Sequence, residues 1–272
     1  MFGNAPRPVW SRWYPPDEAG RIELSCRAAL VDEGHRKILL ETGIGAFFEP
    51  KMRARYGVVE DRHVLLDSLA ARGLSHEDID IVVLSHLHFD HAGGLLSAWA
   101  PGEKPKLLFP KATFIVGARA WERAKHPHAR DRASFIPGLV ELLQESERLL
   151  VLDADHTNVL GDHFRFVTSD GHTPGMLHSI VTGLRQSAIF CADLVPGAAW
   201  VHLPITMGYD RHPEHLIDEK AHLFERLMRD RSWLFFTHDP KVAMARLARD
   251  ADGKYSATEA RSDADVIDLD AI

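Results

Sequence analysis

The hydrophobic pattern of this chain is dominated by short apolar runs that predict β-strands. These runs are rich in β-branched and aromatic residues and read, in chain order, IDIVVL, TFIVG, RLLVL, FRFVT, HSIVT, SAIFC and WLFFT. A further strand is expected around LLF, residues 107–109. Short apolar runs of this kind are typical of strands buried in a sheet.

Helical patterns recur between the predicted strands. Apolar residues at helical spacing lead up to Leu69, and Gly73 follows where the C-terminus of that helix is expected. Shorter helices are predicted from near Ala92 and over residues 137–147, and Pro213 suits the first turn of a longer one. The apolar stripe of that longer helix comprises Ile217, Ala221, Phe224 and Met228. Strands that alternate with helices predict an α/β (α+β) fold with sheets covered by helices.

The length of the chain, 272 residues, suits one large domain or two small ones. No internal repeat or linker interrupts the pattern, so we expect a single domain over residues 21–272. A proline-rich stretch, residues 1–20, precedes it and predicts an irregular N-terminal arm. The arm carries Trp10, Trp13 and Tyr14, aromatic residues that could line a pocket or support a homodimer contact.

Composition narrows the functional classes. The 32 Lys and Arg residues against 39 Asp and Glu residues give a net charge of -7, which disfavours nucleic acid and anionic membranes as partners. Cys26 and Cys191 are too few for a disulfide framework or a four-cysteine zinc site, and they fit a reducing compartment. No apolar run approaches the length of a membrane span, and residues 1–20 do not resemble a secretory signal. We therefore expect a cytoplasmic protein.

The 17 histidines are the unusual feature of the composition, and several of them follow the ends of predicted strands. Ligands bind at the carboxyl ends of strands in sheets that are flanked by helices. Four apolar runs lead, within a few residues, to side chains of the metal-ligand type: His86, His88, Asp90 and His91 after IDIVVL, His172 after FRFVT, Asp193 after SAIFC, and His238 after WLFFT.

The densest of these segments is SHLHFDHAGG, residues 85–94. Residues at i and i+2 of an extended segment point to the same side, so His86 and His88 can hold one metal ion together. Asp90 and His91 fall at the turn into the next helix and can reach a second ion, while the following glycines permit a tight backbone.

Three downstream residues complete this predicted site. His172 would complete the first ion and His238 the second. Asp193 can span both ions because its two oxygens can each bind one. Together these residues predict a hydrolytic centre with two divalent metal ions, for which zinc is expected and iron, manganese and cobalt are alternatives.

The segment HLHFDH resembles the H-x-H-x-D-H signature of the metallo-β-lactamase superfamily. The Gly-His-Thr-Pro-Gly element, the bridging aspartate and the final histidine of that family follow in the same order, so the resemblance runs from about Glu41 to His238. It implies a four-layer αββα sandwich with a binuclear zinc or iron centre at one edge.

Departures from the family pattern help to place the chain within it. Glu41 stands where members often carry aspartate, so the family pattern does not say which ligand this glutamate orients. His178 is displaced from the position of the family's second histidine and is not included among the ligands. Asp193 argues against true β-lactamases, and His88 argues against flavin-linked oxygen reductases. The resemblance is therefore to the lactonase, arylesterase and organophosphate-hydrolase branch.

This reading predicts hydrolysis of a small-molecule ester, with a lactone favoured, by a hydroxide shared between the two ions. Asp90 and Asp193 are expected to take part in catalysis as ligands, and His202 or Tyr209 to protonate the leaving group. A phosphodiesterase or phosphotriesterase with the same site is the alternative. A thiol dioxygenase with a single iron and a non-catalytic metal-binding domain are less favoured.

Overall fold

The computed structural model describes residues 1–263 and 265–271. The chain divides into two compact units. The first, Cys26–Asp153, contains the H-x-H-x-D-H segment and is called the signature unit below. The second combines Met1–Ser25 with the chain from Ala154 onward and is called the composite unit.

The described residues form eleven strands and seven α-helices. The strands are β1 (Ala29–Asp32), β2 (Lys37–Leu40), β3 (Ile81–Leu84), β4 (Thr113–Gly117), β5 (Leu149–Leu152), β6 (Phe164–Ser169), β7 (Met176–Thr182), β8 (Ser187–Phe190), β9 (Trp233–Phe235), β10 (Met244–Arg249) and β11 (Tyr255–Arg261). The helices are α1 (Arg7–Trp10), α2 (Pro50–Tyr56), α3 (Val64–Ala70), α4 (Phe89–Ala92), α5 (Ala118–Lys125), α6 (Leu139–Glu145) and α7 (Pro213–Asp230).

The signature unit is built on a five-stranded sheet with the strand order β1-β2-β3-β4-β5. The first pair is antiparallel, and β2 to β5 are parallel. Every residue of β3 is buried, as expected for a parallel strand covered on both faces. Leu84 and Phe114 of the sheet pack in one core with Leu139 and Leu143 of α6. The H-x-H-x-D-H segment follows directly after the end of β3.

The composite unit is built on a six-stranded sheet with the strand order β11-β10-β9-β8-β7-β6. Because β7 is antiparallel to both β6 and β8, while β8 and β9 are parallel, β6, β8 and β9 run in the same direction. Their carboxyl ends therefore meet at one edge of the sheet. The residues that follow these three ends are His172, Asp193 and His238.

The two mixed sheets with helices confirm the α/β (α+β) class. Three local predictions need correction. The helix expected from near Ala92 begins at Phe89, because His88 already has the extended backbone of an N-cap residue. LLF is not a strand; Leu107 forms only an isolated bridge with Leu96. The buried face of α7 is also displaced from the predicted stripe, and comprises Leu216, Lys220, Phe224 and Leu227.

The arm has one helical turn, α1, and belongs to the composite unit. Phe2 stacks between Trp10 and Trp200, with centroid distances of 5.5 and 4.4 Å. Trp200 of the same unit thus covers part of the aromatic surface of the arm. Among the described residues, no helix is long and apolar enough to cross a membrane.

Candidate metal centre

The histidines of the signature unit converge at the end of β3. His86, His88 and His91 are buried, while Asp90 is partly exposed. His86 Nε2 lies 3.0 Å from His88 Nδ1, and the rings of His86 and His91 are 4.2 Å apart. Two ligand atoms on one tetrahedral zinc ion lie about 3.3 Å apart, since each bond is about 2.0–2.1 Å long. The spacing of His86 and His88 therefore suits a shared ion, as the sequence predicts.

Glu41 lies beneath these histidines and is fully buried. Its Oε2 accepts a hydrogen bond from His91 Nδ1 at 2.7 Å, and its Oε1 accepts one from the hydroxyl of Ser85. Ser85 Oγ in turn lies 2.8 Å from His86 Nδ1. One carboxylate thus orients two imidazoles, one directly and one through Ser85, and in both rings it is Nδ1 that faces this support. Glu41 therefore contacts His91 and Ser85. The backbone of Glu41 is left-handed, with φ of 64°.

The two glycines after the signature are required by close backbone packing. A Cβ at Gly93 would overlap the carbonyl oxygen of Ile44, and one at Gly94 would overlap that of Thr42. The carbonyl oxygen of Gly94 also lies 3.0 Å from Nε2 of His63, a buried histidine to which the sequence analysis assigns no role. His63 thus supports the loop from outside the motif, and no spacing rule in the sequence points to it.

In the composite unit, Asp193 lies between two histidines. Its Oδ2 is 3.1 Å from His172 Nε2, and its Oδ1 is 3.0 Å from His238 Nε2. All three side chains are buried. The structure therefore brings these three sequence-predicted residues together, with one carboxylate oxygen directed at each imidazole.

The other ring nitrogen of each of these histidines has its own hydrogen-bond partner. His172 Nδ1 donates to Asp210 Oδ1 at 2.9 Å, and His238 Nδ1 donates to the carbonyl oxygen of Ser25 at 2.6 Å. A neutral imidazole that donates from Nδ1 presents a lone pair at Nε2. In both histidines this lone pair faces a carboxylate oxygen of Asp193. A nitrogen lone pair and a carboxylate oxygen repel each other unless a cation binds both of them. The donor set of His172, His238 and Asp193 therefore fits metal ions.

Asp210 is a site residue that the sequence analysis missed. It is buried, and its Oδ2 accepts a hydrogen bond from the backbone amide of Met207 at 2.6 Å. Such partners of ligating histidines fix the tautomer and the ring orientation. Asp210 lies 38 residues from His172; only the folded loop reveals the pairing.

The two residues predicted to protonate a leaving group, His202 and Tyr209, lie on the loop between β8 and α7. Tyr209 is 62% exposed, and His202 is also exposed, with its ring centroid 6.5 Å from that of Trp13. Neither side chain is held rigidly by burial. The proton-donor roles of both residues remain predictions.

His178, which the sequence analysis leaves out of the ligand set, is buried in β7. Its Nε2 lies 3.1 Å from Ser169 Oγ. Burial lowers the pKa of His178 from 6.5 to about 4, so the ring is neutral at physiological pH. Cys191, one of the two cysteines, is fully buried.

Comparison with known proteins agrees with these features. The family model of the metallo-beta-lactamase superfamily matches residues 21–238. An N-acyl homoserine lactonase from Bacillus sp. is 25% identical over 246 residues, which cover 82% of this chain and 84% of the relative.

Solved structures support the same fold. A probable metal-dependent hydrolase from Staphylococcus aureus has a TM-score of 0.85 at 24% identity, covering 98% of this chain and 92% of that chain. A dizinc quorum-quenching lactonase has a TM-score of 0.67 at 22% identity, covering 90% of this chain and 81% of that chain. The metallo-β-lactamase fold expected from the signature is confirmed. The chain belongs to the metallo-beta-lactamase superfamily, as a metal-dependent hydrolase.

Proposed function

We propose that this protein hydrolyses a small-molecule ester, with a lactone as the favoured substrate, using two divalent metal ions. The observation that carries the proposal is the arrangement of Asp193, whose two oxygens face Nε2 of His172 and of His238. A carboxylate placed in this way can serve two ions at once. Zinc is the expected metal, because the ligand set combines imidazoles and carboxylates.

The proposed ligand assignment follows the order of the motifs. One ion is assigned to His86, His88 and His172, and the other to Asp90, His91 and His238, with Asp193 shared. Bound there, divalent ions supply Lewis acidity for the ester carbonyl and lower the pKa of water toward neutrality.

The protein's own residues prepare this chemistry by fixing the imidazoles. Glu41 accepts the Nδ1 proton of His91, and Asp210 accepts that of His172. Both carboxylates are buried, so the histidines are held in a single tautomer with Nε2 directed away from these partners. Protonation of the departing alkoxide is assigned to the exposed loop that carries His202 and Tyr209.

An aromatic cluster beside the signature favours a substrate with an apolar part. Phe89, which lies between His88 and Asp90 in the sequence, packs against Phe48 at a centroid distance of 5.3 Å and against Tyr56 at 4.6 Å. All three rings are partly exposed. Exposed aromatic surface next to polar ligands is typical of small-molecule sites. The N-acyl homoserine lactonases to which the chain is similar also support an acylated lactone.

The test combines metal analysis with a substrate panel. We expect two zinc ions per chain in protein purified without chelator, and faster hydrolysis of N-acyl lactones than of aryl esters or phosphotriesters. A preference for phosphotriesters would replace the lactonase proposal with the phosphotriesterase alternative. A single iron with oxygen consumption would favour a dioxygenase, and bound metal without turnover of any substrate would favour a non-catalytic domain.

A further inference from the structure

Helix α7 carries two adjacent charged residues, Glu219 and Lys220, on the side of the helix that meets the rest of the composite unit. Lys220 is fully buried, and the side chain of Glu219 is only 15% exposed. Burial of a charge is unfavourable unless hydrogen bonds compensate for it, and an apolar residue would fill the same space without that requirement. The partners of these two side chains therefore indicate what they do.

Glu219 binds the backbone immediately before His172. Its Oε1 accepts a hydrogen bond from the amide of Asp170 at 2.7 Å, and its Oε2 accepts one from the amide of Gly171 at 3.1 Å. The loop packs so closely against the helix that a Cβ at Gly171 would overlap Leu216 and the Glu219 carboxylate. Both oxygens of one carboxylate thus hold the peptide that leads into His172.

Lys220 binds a different segment, the loop that carries Asp210. Its ammonium donates to the carbonyl oxygens of Leu203 and Ile205 at 2.9 Å each, and to that of His202 at 3.3 Å. Three carbonyl acceptors match the three N–H donors of a lysine ammonium. The same loop continues to Asp210, which accepts the Nδ1 proton of His172.

Burial lowers the pKa of Lys220 from 10.5 to about 7, while the charges of Asp210 and Cys191 act in the opposite direction. Burial also raises the pKa of Glu219, against its hydrogen bonds with the amides of Asp170 and Gly171. Burial therefore works against the charged form of both groups, as expected for side chains kept inside the unit for their hydrogen bonds.

We infer that Glu219 and Lys220 are a pair of positioning residues for His172, one fixing its backbone and the other fixing the loop that holds its imidazole. The segments that they hold are also joined to each other, since the backbone amides of Arg211 and His212 donate to the carbonyl oxygen of Gly171 at 2.9 and 2.8 Å. The inference rests on the proposed function in one respect: it takes His172 to be a metal ligand.

The test uses Glu219→Gln and Lys220→Met in the full chain, with zinc as the probe. Affinity is measured by competition with a chromophoric chelator. Each variant is expected to weaken the binding of one of the two ions by up to about 10-fold, the lower end of the range that is typical when a direct partner of a ligating histidine is lost. The other ion should be affected less, because Glu219 and Lys220 bind the segments that hold His172, which is a proposed ligand of the first ion.

Two control variants on the same helix separate positioning from general stability. Glu214→Gln changes an exposed carboxylate in the first turn, and Leu227→Ala removes a buried side chain from the same face as Lys220. Neither should change zinc affinity, although Leu227→Ala should lower the melting temperature. Equal weakening of zinc binding by Leu227→Ala and Lys220→Met would show that the lysine acts only through stability, and would overturn the inference.

Hydrogen exchange of the metal-free protein provides a readout that does not depend on the proposed function. Exchange should rise at residues 170–172 in Glu219→Gln and at residues 202–210 in Lys220→Met, and stay unchanged there in both controls. If Lys220→Met does not fold, Lys220→Gln, which keeps two N–H donors, should show a smaller effect of the same kind. Unchanged exchange and affinity would refute the positioning role, whereas a wild-type chain that binds no zinc would refute the proposed function instead.

Discussion

The two units present their candidate ligands in different ways. In the signature unit, four proposed ligands come from one six-residue segment after a single strand, and one carboxylate, Glu41, supports two of the histidines. In the composite unit, three proposed ligands follow three strands, and His172 and His238 each have a separate partner, Asp210 and the carbonyl oxygen of Ser25. Histidines of one local motif can thus be oriented by a single carboxylate, whereas histidines from distant segments each have a hydrogen-bond partner of their own.

The shared carboxylate of the composite unit provides the largest expected effect. Asp193→Asn removes one negative charge and one anionic ligand oxygen from between His172 and His238. We expect lactone hydrolysis to fall by more than about 100-fold, beyond the range seen when only a partner of a ligand is lost. Rates and zinc content measured together check this. Full turnover with two bound ions would contradict the proposed role of Asp193.

The orienting carboxylates of the two units can be compared directly. Glu41→Gln disturbs two histidines and Asp210→Asn only one, so we expect zinc affinity to fall by about 100-fold in the first variant and about 10-fold in the second. Chelator competition measures both, and circular dichroism checks that each variant is folded. Equal losses of zinc affinity in the two variants would mean that the contact of Glu41 with His86 through Ser85 has no effect. They would contradict the difference proposed between the two units.

A pH prediction concerns a buried histidine of the composite unit that is not a proposed ligand. The pKa of His178 is about 4 in the folded protein, because the ring is buried, and its ordinary value is 6.5. The unfolded chain therefore takes up the proton first as the pH falls. Its contribution to stability is present above pH 6.5 and is lost as the pH falls from 6.5 through about 4.

His178→Leu should reduce this acid sensitivity. Between pH 7 and pH 5 the variant should lose about 2 kcal/mol less unfolding free energy than the wild-type chain. Urea unfolding of metal-free protein at the two pH values measures the difference. Identical losses in both proteins would indicate that His178 does not titrate in this range.

The smallest expected effect tests the indirect support in the signature unit. Ser85→Ala keeps the hydrogen bond between Glu41 and His91 but removes the hydroxyl between Glu41 and His86. A single hydrogen bond contributes about 1 kcal/mol, which corresponds to a decrease in zinc affinity of about fivefold. An effect as large as that of Glu41→Gln would assign most of the carboxylate's influence to His86.

Much of the fold and the local half of the candidate site could be predicted from the sequence. The apolar runs that become β3, β6, β8 and β9 were recognisable, because burial in a sheet requires continuous or alternating apolar residues over a short range. The spacing of His86, His88 and His91 is local as well, so a short segment already indicates that these side chains can converge. The positions of His172, Asp193 and His238 after three predicted strands indicated the rest of the candidate site, and the order of the family's motifs agreed with them.

The supporting groups could not be predicted in this way. Asp210, Glu219 and Lys220 contact segments 15 to 49 residues away, and their sequence surroundings do not distinguish them from exposed charged residues. The helical pattern of α7 even predicted the wrong stripe, because a buried lysine has no signal in an apolar periodicity.

The sequence by itself determined the ligand types, the strands that present them and the family. Only the tertiary structure decided which groups face Nδ1 of His91, His172 and His238, and which charged residues are buried beside them. Hydrogen bonds between distant segments depend on the directions in which loops return, and those directions follow from the packing of the whole unit, not from neighbouring residues.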